Sequence, residues 1–76
     1  MVKDILTEMQ GKIDRESSYC TSQPTKRGRN NCIGTSLILI EEKYKELKQN
    51  VQTDKQLIDL MSVYTKGIER MSKNVE

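Results

Sequence analysis

The chain has 76 residues, thirteen Lys and Arg against eleven Asp and Glu, no His, and a formal net charge of +2. One small domain, 1–76, is the ceiling at this length, and without His there is no Ser-His-Asp triad, no Cys-His pair and no imidazole for a metal. A near-balance at 32% charged residues excludes both an acidic disordered tail and a strongly basic nucleic-acid binder.

Ile, Leu and Val supply 17 of the 76 residues, close to the ~20% level below which chains tend toward disorder. The large net charge that accompanies disorder is missing. The two facts predict an ordered chain with a thin core. Self-association or a bound partner is the usual remedy for a core of that size. The longest apolar run, Leu37–Ile40, is far short of the ~18 residues of a membrane span, so no membrane partner is expected. No apolar stretch follows Met1–Leu6, so a secretory signal is not expected either. The default setting is then cytoplasmic, where thiols stay reduced.

The first predicted element is a helix over about 2–16. Val2, Ile5, Leu6, Met9 and Ile13 recur on one helical face, with Glu8 and Lys12 one turn apart on its flank. Gly11 weakens it by on the order of 1 kcal/mol relative to Ala.

Residues 17–35 break the composition. Ser, Thr, Asn, Gly and the only Pro crowd together here, each a loop former for its own reason. The prediction is a long basic loop, and a loop of that length is usually functional or disordered. Cys20 and Cys32 bracket it. Two cysteines without His cannot complete a zinc site, so no metal or other cofactor is expected. A disulfide between them would close about a dozen residues and stabilise by on the order of 3 kcal/mol. The cytoplasmic expectation favours two separate, reduced thiols instead.

Lys26-Arg27-Gly28-Arg29 is the one motif with nucleic-acid logic. Arg-Gly-Arg in a Pro-preceded extended loop resembles the core of the AT-hook family. That resemblance implies an A·T-rich minor groove as partner, entered by Arg27 and Arg29 while glycine lets the backbone lie close to the floor. Asn30 stands where the family pattern has Pro. Charge points the same way: residues 1–16 carry −1, residues 17–36 carry +3 and residues 37–76 carry zero. Lys26, Arg27 and Arg29 are therefore candidate nucleic-acid contacts.

The last part of the chain is the most regular. Ile33, Leu37, Ile40, Tyr44, Leu47 and Val51 step by four and three, and Leu57, Met61, Tyr64, Ile68, Met71 and Val75 repeat the steps. Two such stripes in succession predict an antiparallel helical hairpin, about 36–50 and 54–75. Asn50 is a candidate left-handed helix end, and Thr53-Asp54-Lys55-Gln56 is a capping-box sequence. A tight turn would set Leu47 on Leu57, Tyr44 on Met61 and Ile40 on Tyr64.

The predicted fold class is therefore all-α: the hairpin joined by the first helix in a small three-helix bundle, or an oligomer of hairpins. Ile38, Leu39, Ile58, Leu60 and Val63 fall off the two stripes and form a candidate partner interface. Glu41, Glu42, Glu46, Asp59 and Glu69 lie among lysines on solvated faces, with no cleft to shift them toward acid–base work. No catalytic residue is expected. The sequence points to a non-enzymatic interaction or regulatory protein that binds itself or a larger protein. The alternative is a nucleic-acid binder using residues 26–29 on an oligomeric scaffold.

Overall fold

A computed structural model describes residues 4–76. Three helices follow one another: α1 (Ile5–Thr21), α2 (Lys26–Lys48) and α3 (Asp54–Lys73). They form a three-helix bundle, and the described residues contain no strand. Short connections reverse the chain twice, so α2 runs antiparallel to its neighbours and α1 parallel to α3.

Each helix starts on a side-chain cap, which satisfies backbone donors the helix itself leaves unpaired. The Asp4 carboxylate accepts from Leu6 N–H at 3.0 Å, and Thr25 Oγ1 accepts from Gly28 N–H at 2.9 Å. Thr53 Oγ1 accepts from Gln56 N–H at 3.1 Å. Gln56 Oε1 reaches back to Gln52 N–H at 2.8 Å, one residue before the position a standard capping box uses.

Residues 17–35 are not a loop. α1 runs on to Thr21 and α2 begins at Lys26, leaving only Ser22–Thr25 as the connection. Both helices continue their core stripes through this region with small side chains. The buried positions of α1 are Ile5, Met9, Ile13, Ser17 and Cys20, and those of α2 are Ile33, Ser36, Ile40 and Leu47. Tertiary burial of these positions overrides their weak helix propensity. Of the predicted first helix, Val2 lies outside the described residues.

The hairpin register also differs from the tight-turn expectation. Tyr44 stacks on Tyr64, ring centroids 4.2 Å apart and planes 9° from parallel, where Met61 was expected opposite Tyr44. The connection runs from Gln49 to Thr53, which slides α3 by about one turn. Asn50 does not take the left-handed conformation: no described residue has positive φ.

Packing α1 against both other helices turns the buried face of α3. Leu60, Gly67 and Met71 are buried there, while Met61 is 46% exposed. Gly67 is where α1 and α3 approach closely. A Cβ at this position would overlap the Ile13 side chain, with Cγ1 only 2.8 Å away.

Candidate interaction surfaces

The basic motif lies in the first turns of α2, not in an extended strand. Gly28 is helical and its N–H is spent on Thr25, so this backbone cannot lie along a groove floor as the AT-hook resemblance implied. Lys26 and Arg27 are exposed. Arg29 is committed elsewhere. Its Nε and Nη2 donate to the Glu76 carboxylate, the latter at 3.2 Å, and its Nη1 donates to the Gln23 main-chain oxygen at 3.0 Å. Beside it, Asn30 Nδ2 donates to the Glu76 main-chain oxygen and Asn30 Oδ1 accepts from Glu76 N–H, both at 3.0 Å.

Electrostatics explains this clamp. The first turn of α2 holds no acidic residue, and cations are unfavourable at the positive end of a helix dipole. Glu76 brings the missing negative charge. The Arg29 hydrogen bond holds its carboxyl below the ordinary value, with the charges of Arg29 and Lys26 adding to the effect. A cavity of about 380 Å³ adjoins the clamp, lined by Cys20, Thr21, Ile33 and Lys73 among others.

Cys20 and Cys32 are joined in a disulfide, not held as separate thiols, with their Cα atoms 5.3 Å apart. The bond ties the end of α1 to the second turn of α2. Ser36 Oγ lies 3.1 Å from Cys20 Sγ and donates its proton to Glu16 Oε2 at 2.9 Å. Glu16 is also paired with Lys12 at 2.9 Å. Burial pushes the Glu16 carboxyl up, but the bonds from Lys12 and Ser36 outweigh it and leave the pKa below its ordinary value. Ser36 is buried, and with Glu16 it lines the floor of a groove between α1 and α2.

The five off-stripe residues separate into two groups. Leu60 is fully buried, and Val63 is half-buried against the core; neither is available to a partner. α1 covers the side of α3 that a lone hairpin would leave bare. Ile38, Leu39 and Ile58 remain exposed. Leu39 borders a groove between α1 and α2 together with Tyr19, Gln23 and Thr35. Ile38 lies opposite the core face of α2, among Gly34, Glu41 and Glu42. Ile58, 64% exposed, and Met61, 46% exposed, lie with Thr65 and Ser72 on the outer side of α3, while Ile68 is half-buried against the core. Glu69, one turn beyond Thr65, shares that face.

The sequence reading missed Glu76, Asn30, Gln23, Ser36 and Glu16. One signal did exist: three cations at the start of a helix with no acid among them call for a carboxylate from elsewhere. Among the described residues, no group of three or more Cys, Asp and Glu side chains is placed to hold a metal, and no helix is long and apolar enough to cross a membrane. Comparison with protein-family models, curated proteins and solved structures gives no match, so the functional reading rests on geometry alone.

Proposed function

We propose that this protein is a non-enzymatic helical interaction module that works by pairing with a second protein through the outer face of α3. A second copy of the chain is the partner the surface favours over a larger, different protein. The observation carrying this is the exposed pair Ile58 and Met61, continued by Thr65 and Ser72 on the outer face of α3. Their spacing is that of a coiled-coil seam. Along one edge, Lys55, Ser62 and Glu69 recur every seven residues. Two copies packed antiparallel about Ser62 would set each Lys55 against the partner's Glu69, a self-complementary arrangement of the kind a two-fold interface requires. Lys55 already touches Asp59 at 3.1 Å, but an ion pair this exposed is worth little and does not hold the side chain back.

The nucleic-acid reading retains Lys26 and Arg27 only, which is thin support where affinity scales with the number of phosphates neutralised. The disulfide also moves the expected setting, because such bonds persist in oxidising compartments and are rare in the cytosol. We place the protein in an oxidising compartment on that ground.

Light scattering across a concentration series tests the reading. Wild type is expected to reach a dimer, and Ile58→Lys with Met61→Lys to remain monomeric with unchanged helicity. Lys55→Glu alone should weaken the dimer, and adding Glu69→Lys should restore it. A wild-type chain that stays monomeric at every concentration ends the self-pairing proposal.

A further inference from the structure

The clamp at the start of α2 divides its work in a way that matters for recognition. Asn30 takes both main-chain groups of residue 76, donating to the oxygen and accepting from the N–H. That two-point contact reads the peptide backbone whatever its side chain. Arg29 then reads the side chain, because its planar fork fits a carboxylate through two parallel bonds. The Gln23 carbonyl holds the third guanidinium nitrogen and fixes the fork's direction. Backbone and side chain are thus read separately, as in a peptide-binding site.

We propose that the turn of α2 carrying Arg29 and Asn30 is a receptor for a glutamate-bearing peptide segment, and that Glu76 of the same chain fills it in cis. Val75 and Glu76 lie beyond the end of α3, and among the described residues the Val75 N–H bond to the Ser72 carbonyl at 3.3 Å is the one turn contact that holds them to it besides the clamp. Val75 is itself exposed and gives the segment no apolar anchor. The two partners of the ion pair keep 28% and 44% of their side-chain surface in solvent, which lets an outside peptide compete. The adjoining cavity, with Cys20 and Ile33 beside Lys73, offers room for a residue flanking the glutamate. A free anion can accept from Arg29 and Asn30 Nδ2 but offers no donor to Asn30 Oδ1, which Glu76 N–H fills here. The ligand is therefore a peptide, not a phosphate group.

Nitrogen-15 NMR of the oxidised full chain tests this with the blocked peptide acetyl-Ser-Lys-Asn-Val-Glu-amide, the sequence of residues 72–76. The peptide should shift the Arg29 Nε–H and Asn30 side-chain amide signals. It should bind Glu76→Ala about fivefold more tightly than wild type, the ratio for a cis segment that vacates its site about one-fifth of the time. Adding Asn30→Ala to Glu76→Ala should abolish the shifts, and a peptide with Gln for Glu should bind more weakly. The proposal is overturned if Glu76→Ala shows no shifts, if wild type and Glu76→Ala bind equally, or if Asn30→Ala changes nothing. Inorganic phosphate producing the same shifts at the same concentration would also overturn it, since that result describes a plain anion site.

Discussion

At one end of the bundle Ile5, Leu47 and Leu60 are buried with Tyr44 stacked on Tyr64 nearby; at the other, Ser17, Cys20 and Ser36 occupy the equivalent inward positions. The first end is held by apolar burial, with a capped turn that fixes the entry to α3. The second buries Ile33 and Met71 as well, but small side chains fill its other inward positions. There a covalent bond, a hydroxyl–carboxylate contact and the Arg29–Asn30 clamp add to the thinner apolar contact. Helix formation at the second end therefore leans more on specific bonds, and at the first on bulk contact. The two should fail differently.

Leu60→Ala gives the largest expected effect. Truncating a fully buried leucine costs about 4 kcal/mol, a large share of the stability of a domain this small. Chemical denaturation should show a loss across all three helices together. Leu39→Ala, a change of the same chemistry on the exposed side of α2, should cost under about 0.5 kcal/mol. A small loss at Leu60 would mean that apolar burial does not hold that end.

Removing the disulfide by Cys20→Ala with Cys32→Ala comes second, at about 3 kcal/mol for the loop it closes. The loss should be local first. Hydrogen exchange in residues 26–36 should accelerate ahead of the rest, because Gly28, Asn30, Asn31, Gly34 and Thr35 contribute poor helix propensity. Protection in α3 should persist longest. Uniform acceleration along the chain would erase the distinction between the two ends.

The same division decides what the sequence revealed. Where large apolar residues mark the core, at Ile5, Met9 and Ile13 and from Ile40 onward, helical periodicity was legible and the all-α three-helix fold followed. Between 17 and 36 the core positions are filled by Ser17, Cys20, Ile33 and Ser36, of which only Ile33 is a large apolar residue. Two helix ends therefore looked like one loop. Placing that loop on two antiparallel helices is what brings Cys20 next to Cys32, so the crosslink was hidden along with them. The hairpin register was lost for a different reason. Periodicity fixes which face is buried, but the length of the Gln49–Thr53 connection decides which residues meet. Glu76 was concealed by arithmetic: residues 37–76 sum to zero charge, and a balanced total gives no hint that one carboxylate is spent on Arg29.

Gly67→Ala probes the junction between the two ends. The added methyl would overlap Ile13, a branched side chain that is itself fully buried. Overpacking of this kind costs about 2 kcal/mol. Adding Ile13→Val, which trims the side chain that Gly67 accommodates, should recover part of that loss. Were the double variant as unstable as the sum of the two single ones, the contact would not be the source of the cost.

Glu16→Gln should cost less than Leu60→Ala, loss of the disulfide or Gly67→Ala, and its pH dependence gives it meaning. The Glu16 carboxyl titrates below its ordinary 4.5 in the folded chain. A depressed folded pKa contributes stability that is present above the unfolded value and lost as pH falls through the folded one. At neutral pH the substitution weakens the bonds to Ser36 and Lys12 and should cost about 1 kcal/mol. As pH falls below the folded pKa, wild type loses the same contribution by protonation, so the two stability curves should converge in acid. Asp14 supplies the control. Its carboxyl is also held low, by the Arg70 hydrogen bond first and Gln10 second, but it is exposed and lies on the α1–α3 side, away from the disulfide. Asp14→Asn should flatten the acid limb without touching exchange in residues 26–36, whereas Glu16→Gln should accelerate it. Identical exchange in the two variants would mean that the Ser36–Glu16 contact adds nothing to what the disulfide already does for the small-residue end.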